Sequence, residues 1–406
     1  MTHSIAGRPV RAWPRARTVH LRPPVLSWRR ISAIALVLVA VLATSSAAST
    51  LIHLQTPEPT GIHAVGKDAV LIEDASRAEA LTETPGDHRQ VRVVAWYPAV
   101  ADTGEAAPYL ADLDRIGDGL VASGSVSELA RLGLGLVTTA ARHDATVAAT
   151  RDTYPVVILS PGNATNVEFY GALAEELASH GYVVFGLDHP FQSAAVAIDD
   201  TVATYSGDAP MDRAEVVTRA RIDERVADIS FVLERLAADA AGFAALDTRL
   251  DLDRVAVVGH SNGGLAAVQI CDDPRVSACV NIDGQNMAGP FGTGTTPAAP
   301  ANPFLFLTKE TELHPALADA FEAGGPGGYR VVVPAAAHDS FTDGPRFQPR
   351  LLPIAGTADD VMTVSRGFVL AFLDHTLGEA PQDLLGEVSA PTDVLVEVYP
   401  LRPPPG

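Results

Sequence analysis

Arg254-Val-Ala-Val-Val-Gly-His-Ser-Asn-Gly-Gly264 decides how this chain folds. The apolar run Val255–Val258 reads as a buried strand and Gly259-His260-Ser261-Asn262-Gly263 as a tight turn. Leu265-Ala-Ala-Val-Gln-Ile270 then begins an apolar helix. Strand, G-x-S-x-G and helix in that order form a nucleophile elbow, which pushes a serine hydroxyl into the open on a strained turn. Gly259 and Gly263 leave room for the backbone to double back, and Gly264 lets the helix lie close to the strand. The helix N-terminus offers free N–H groups to a developing oxyanion. Ser261 is therefore the candidate nucleophile.

Working outward, apolar or alternating runs mark further strands at Ala69–Ile72, Val91–Tyr97, Pro155–Ser160 and Tyr182–Leu187. Others follow at Ala278–Ile282, Pro303–Leu307 and Tyr329–Val333. Helical patterns fall between them, at Glu168–His180, Met211–Ala240 and Thr357–Leu377. The long one carries Val217, Ile222, Val226, Ile229, Leu233 and Leu236 at helical spacing. The alternation predicts an α/β protein, a mostly parallel central sheet with helices on both faces. A short polar link between the first two strands predicts that they are antiparallel. Pro391–Gly406 reads as a last short strand with a Pro-rich tail.

A serine hydroxyl needs a base, and the base needs a carboxylate to hold its tautomer. In a parallel sheet with an elbow, these follow the serine in the order acid, then histidine. After Ser261 the histidines are His314, His338 and His375. His375 falls inside a helix, and His314 sits where the acid belongs. His338, in the loop Pro334-Ala-Ala-Ala-His-Asp-Ser-Phe341, is the candidate base. Asp283 ends the strand after the elbow and is the candidate acid, with Glu310 and Glu312 as rivals. Asp251 and Asp253 precede the elbow strand, at the wrong end of the sheet. The second oxyanion donor is expected from the turn Pro161-Gly-Asn-Ala-Thr165, so the backbone N–H groups of Asn163 and Asn262 form the expected pair. No metal-ligand spacing and no phosphate-binding glycine loop follows a strand, so neither metal nor cofactor is expected.

The 406 residues are 47% apolar and 19% charged, a globular composition. The net charge is −20, yet residues 1–30 hold seven arginines and no acid, so the remainder carries −27. So acidic a body repels nucleic acid, which is excluded as a partner. The basic head, 1–30, precedes an apolar segment, 31–53, without a charge from Ile31 to Ile52. It reads as an export signal. An apolar core of that kind suits a signal peptide, while the full stretch is also long enough for an uncleaved membrane anchor. Both stand open, and either puts the protein outside the cytoplasm, secreted or membrane-anchored. A polar linker, 54–65, leads to a catalytic domain at 66–400. Within it Leu110–Thr146 breaks the alternation with two amphipathic blocks, a cap or a surface hairpin. Cys271 and Cys279 are the chain's cysteines, either bridged or free.

The pattern resembles the α/β-hydrolases of the bacterial platelet-activating-factor acetylhydrolase family, from roughly Gly61 to Leu377. The resemblance rests on Trp96-Tyr-Pro98, Leu159-Ser-Pro-Gly162, Gly186-Leu-Asp-His189, Gly259-His-Ser-Asn-Gly-Gly264, Asp283 and His338. It implies a serine hydrolase acting on lipid or short acyl esters through an acyl-enzyme, without metal, with Asp283 favoured over Glu310. More distant relatives imply broader esterases, polyester hydrolases among them. The rival of another kind is an inactive surface-binding protein of the same fold. One departure stands out: the family carries His-Gly where this chain has Pro161-Gly162.

Overall fold

The structure, a computed structural model, describes residues 54–82, 84–208, 214–284, 300, 302–309, 328–333, 336–347, 358–378 and 395–399. In chain order the strands are β1 (Ala64–Ala78), β2 (His88–Ala99), β3 (Glu105–Ala106), β4 (Ala141–His143), β5 (Tyr154–Ser160), β6 (Val183–Asp188) and β7 (Ala195–Ile198). Then come β8 (Thr201–Thr204), β9 (Leu250–His260), β10 (Ala278–Ile282), β11 (Phe304–Thr308), β12 (Gly328–Val332) and β13 (Leu395–Tyr399). The helices are α1 (Leu113–Ala122), α2 (Glu128–Leu134), α3 (Gly171–Ser179), α4 (Ala214–Asp239), α5 (Asn262–Gln269) and α6 (Ala358–Leu377).

Val255–Val258 lie in β9, at the middle of an 11-stranded sheet ordered β13-β12-β11-β10-β9-β5-β6-β2-β1-β4-β3. Along the run β6-β5-β9-β10-β11-β12 each strand is parallel to the next. β2 is antiparallel to both of its neighbours, β6 and β1, and β13 is antiparallel to β12. The parallel strands are buried on both faces, which explains their unbroken apolar runs. α4 and α5 cover one face, and α3 and α6 cover the other. Ile222, Ile229, Leu233 and Leu236 of α4 are all buried, as their spacing requires. Each such side chain contributes about 1.5–3 kcal/mol.

Some elements differ from expectation. β1 extends well beyond Ala69–Ile72, and its pairing with β2 becomes irregular between Asp74 and Ala78. The helix expected from Glu168 starts as a 3-10 turn, Val167–Tyr170, and becomes α-helical at Gly171. The β7–β8 hairpin and the two-residue β3 are too short to leave a periodic signal. The 54–65 stretch is docked against α3: Thr56 is buried with its hydroxyl 3.0 Å from Glu175, and Gly61 N–H donates to Ser179 Oγ. The 110–146 segment supplies α1, α2 and β4. Ile116, Leu120 and Leu134 bury their side chains with Tyr109, Phe169 and the hairpin's Ala195, while Leu129, Leu132 and Leu136 face outward.

Cys271 and Cys279 form a disulfide, with Cα atoms 5.8 Å apart. It ties the end of α5 to the start of β10. Among the described residues no helix is long and apolar enough to cross a membrane. The basic head and the apolar segment at 31–53 lie outside the described residues, as does the tail after Tyr399.

Candidate active site

β9 ends at His260, and the chain reverses through Ser261 into α5. Ser261 sits at φ 54°, ψ −121°, a conformation that costs a non-glycine residue about 1–3 kcal/mol. Its neighbours make the turn possible. A Cβ on Gly259 would overlap the backbone of Gly263, and one on Gly263 would overlap that of Ser160. The Ser261 N–H is held by Ile282 O at 2.9 Å, and its carbonyl accepts the first helical bond from Leu265 at 3.1 Å. These contacts over-determine the strained backbone.

One strand over, Asp283 ends β10, also at positive φ (50°). It is almost fully buried. Its Oδ2 lies 2.6 Å from His338 Nδ1. Its Oδ1 accepts from the Thr308 hydroxyl at 3.0 Å and the Lys309 N–H at 3.3 Å. Burial alone pushes the carboxyl pKa up, but the His338 hydrogen bond and charge, with Lys309, outweigh it and hold the group below its ordinary value. An ionised carboxylate only accepts, so His338 carries its proton on Nδ1 and keeps Nε2 as the basic nitrogen. Half-exposed His338 thus meets the open end of the site, while Asp283 sits behind it. Among the described residues no hydrogen bond joins Ser261 Oγ to His338 Nε2. Such bonds are often long before substrate arrives.

His260 lies behind the candidate base. Its Nε2 is 3.1 Å from the His338 carbonyl, and the two rings lie 4.5 Å apart at 35°. Its Nδ1 accepts from Tyr170 OH at 2.8 Å, and that hydroxyl in turn accepts from the Gly162 N–H at 3.0 Å. Burial, then the neighbouring His338 charge, draw the His260 pKa down to about 3. It stays neutral, with its one proton on Nε2.

The turn after β5 completes the site. Among the described residues, neither the Asn163 N–H nor the Asn262 N–H donates to another group. Their side chains are tied together, Asn262 Nδ2 donating to Asn163 Oδ1 at 3.0 Å. The structure therefore brings Ser261, Asp283, His338, Asn163 and Asn262 to one end of β5, β9 and β10. The alternatives do not join them. Asp251 pairs with Arg254 at 2.7 Å, at the opposite end of β9. His375 is exposed on α6, its ring 6.0 Å from that of Tyr329. Glu310, Glu312 and His314 lie outside the described residues.

Residues 48–312 match the family described as platelet-activating factor acetylhydrolase, isoform II. The chain belongs to that family. It is a carboxylic ester hydrolase of α/β-hydrolase fold. A probable 1-alkyl-2-acetylglycerophosphocholine esterase from Arthroderma benhamiae is 25% identical over 76% of this chain and 81% of its own. A platelet-activating factor acetylhydrolase from Cavia porcellus is 28% identical over 40% of this chain and 42% of its own. Among solved structures, a ferulic acid esterase from Streptomyces cinnamoneus superposes with TM-score 0.67 at 28% identity, covering 84% of this chain and 98% of that one. The family match contains Ser261 and Asp283 and ends before His338.

The Pro161-Gly162 turn finds its outer contacts in Arg225 of α4. The guanidinium donates to Pro161 O at 2.7 Å, Gly162 O at 3.4 Å and Asn163 Oδ1 at 3.2 Å. No motif in the sequence marks Arg225, His189, Asp228 or Tyr170 as site residues. One signal was available: Arg225 sits three residues from Ile222 and four from Ile229, on the buried face of its helix. Away from the site, Asp68, His143 and Asp144 stand close enough to share a cation. They are satisfied by one another, with His143 Nδ1 at 2.5 Å from Asp68 and Nε2 at 3.2 Å from Asp144.

Proposed function

We propose that this enzyme cleaves carboxylic esters through a covalent acyl-enzyme on Ser261. The supporting observation is a serine held at φ 54° on the β9–α5 turn, with the undonated N–H groups of Asn262 on this turn and Asn163 on the one after β5, and an Asp283–His338 pair 2.6 Å apart. His338 Nε2 takes the Ser261 hydroxyl proton as Oγ attacks the substrate carbonyl carbon. The N–H groups of Asn163 and Asn262 receive the negative oxygen. The tetrahedral species collapses, the C–O bond to the alcohol breaks, and His338 returns the proton to the leaving oxygen. Water then repeats the sequence and releases the acid. Asp283 keeps the ring in its Nδ1–H tautomer and stabilises the imidazolium. No step calls for a metal or an organic cofactor.

The substrate class is a lipid or small ester with a short acyl group, in keeping with the names of the curated relatives. A broader esterase is the second reading, favoured by the ferulic acid esterase neighbour. One panel separates them: 1-alkyl-2-acetylglycerophosphocholine, p-nitrophenyl esters from acetate to palmitate, and methyl ferulate. The first reading requires the acetylated phospholipid to have the highest kcat/KM. A higher value for methyl ferulate would replace it with the second. The 110–146 segment, which packs against Phe347 downstream of His338, is proposed to cover the acyl end. Polar replacements in it should then lower long-chain activity and spare acetate esters.

The enzyme is proposed to work outside the cytoplasm, secreted or anchored by its N-terminal segment. The Cys271–Cys279 disulfide suits an oxidising compartment, and the arginine-rich head before an uncharged apolar run suits export. N-terminal sequencing of the mature protein distinguishes cleavage from anchoring. Full-length protein confined to the soluble cytoplasm would contradict both.

A further inference from the structure

Beneath the Pro161–Asn163 turn lies a second Ser–His–Asp chain. Ser160 Oγ is 3.0 Å from His189 Nε2, and His189 Nδ1 is 2.8 Å from Asp228 Oδ2. All three are fully buried. Asp228, clamped by Arg89 at 2.7 Å and Arg77 at 2.8 Å, is an acceptor only. His189 therefore donates from Nδ1 and takes the Ser160 proton at Nε2. The Ser160 oxygen is left to accept, and it accepts from Arg225 Nη1 at 3.3 Å. Gln192 Oε1 holds Arg225 Nε at 2.8 Å. Among the described residues Arg225 makes no ion pair, although it is fully buried.

A buried guanidinium without a directly paired carboxylate is costly. Its position suggests what it does. The peptide that carries the Asn163 N–H carries the Gly162 carbonyl on its opposite edge, because a trans peptide points the two apart. Arg225 binds that carbonyl. The next peptide back, Pro161 O with Gly162 N–H, is pinned the same way, by Arg225 on one edge and Tyr170 OH on the other. Each carbonyl bond polarises its own N–H and fixes its direction. Asn163 Oδ1 accepts from both Arg225 and Asn262, so the cation is bonded to one donor residue and bridged to the other.

We infer that Arg225 is a positioning residue for ester hydrolysis, aiming and polarising the Asn163 N–H through the far edge of its peptide. It touches no substrate. Its contribution grows as the carbonyl oxygen becomes negative, so it should affect kcat and leave KM nearly alone. The inference rests on the proposed oxyanion role of Asn163.

The test measures kcat and KM of Arg225→Met and Arg225→Lys on an acetyl ester, with circular dichroism to count folded protein and Ser261→Ala in parallel. A trifluoromethyl ketone, which forms a tetrahedral adduct on the nucleophile, reports binding of a transition-state mimic. The expected result for Arg225→Met is a loss in kcat of about 10–100-fold per folded molecule. KM should stay within about threefold, and inhibitor affinity should fall in parallel with kcat/KM. Arg225→Lys should recover part of the loss. Folded Arg225→Met with kcat within twofold of wild type overturns the inference, as does a loss that only tracks the unfolded fraction. If neither variant folds, Asn163→Ala decides. It keeps the N–H but cuts the Oδ1 bridge, and should lower kcat with KM spared; unchanged kcat overturns the inference. An active Ser261→Ala would instead remove the underlying mechanism, so the two failures are distinguishable.

Discussion

Two Ser–His–Asp groups lie among the described residues, and they differ in what surrounds their serines. Ser160, His189 and Asp228 have hydrogen-bond lengths as good as those of a catalytic triad, 3.0 and 2.8 Å. Ser261, His338 and Asp283 share one such bond, of 2.6 Å. The difference lies around the serines. Ser160 closes a regular strand, is fully buried, and spends its oxygen on Arg225. Ser261 sits on a strained turn, next to two N–H groups with no other described acceptor, and its base is half-exposed. Pairwise distances thus do not identify a nucleophile. Access, backbone strain and undonated N–H groups do. Through Arg225 the inner group is bonded to the turn that carries Asn163.

The largest expected contrast is between the serines themselves. Ser261→Ala should lower kcat by roughly 10⁴–10⁶ with the fold intact. Ser160→Ala should cost no more than about tenfold, since that hydroxyl only supports the turn and one lost oxyanion donor costs about 10²–10³. Comparable losses would erase the distinction. The aspartates come next. Asp283→Asn should cost about 10⁴ in kcat through the wrong histidine tautomer, and far more than Glu310→Gln. Asp228→Asn should appear instead as lost stability. Asp228 anchors two arginines and His189, and breaking such a buried pair costs about 3–5 kcal/mol. Denaturant melts and kinetics on the same samples separate the two.

The disulfide joins the helix behind Ser261 to the strand that ends at Asp283. Replacing Cys271 and Cys279 with serine together should lower unfolding stability by about 2–3 kcal/mol, from a short closed loop. Urea melts in oxidised and reduced states check it. An effect on kcat larger than on stability would mean that the bridge also aligns the site.

The smallest effect concerns pH. Burial, then the charge of Arg225, hold the His189 pKa down at about 4, despite the opposing bond to Asp228. An exposed histidine titrates near 6.5. The unfolded chain therefore binds the proton first on acidification. The stability carried by neutral His189 is complete above about pH 6.5 and falls as the pH drops toward about 4. Between pH 7.5 and 5 wild type should lose about 2 kcal/mol from this residue, at 1.36 kcal/mol per pH unit. His189→Gln lacks that loss, so the gap between variant and wild type should shrink by that amount on acidification. A constant gap would mean that His189 is not buried neutral.

The outer chain was legible from the sequence and the inner one was not. The elbow announced itself because strand, G-x-S-x-G and helix are contiguous. Asp283 and His338 followed from chain order and strand ends. Arg225 and Asp228 were hidden in α4, where charged residues ordinarily face solvent. Their partners, Ser160 and His189, come from two other elements, and no spacing joins them. His260 was read as part of the elbow, but its bonds to Tyr170 and the His338 carbonyl depend on two distant loops. The main strands were read correctly because burial on both faces leaves unbroken apolar runs. β3, β7 and β8 were missed because a few residues carry no period. The sequence leaves the cysteine bridge undecided, because geometry, not spacing, decides it.

The central claim is that Ser261 alone carries the reactive hydroxyl. A serine-directed fluorophosphonate probe, followed by peptide mass spectrometry, tests it directly. The expected result is a single adduct on Ser261, loss of activity in step with labelling, and no adduct on Ser261→Ala. An adduct on Ser160, or a labelled and active Ser261→Ala protein, would contradict it.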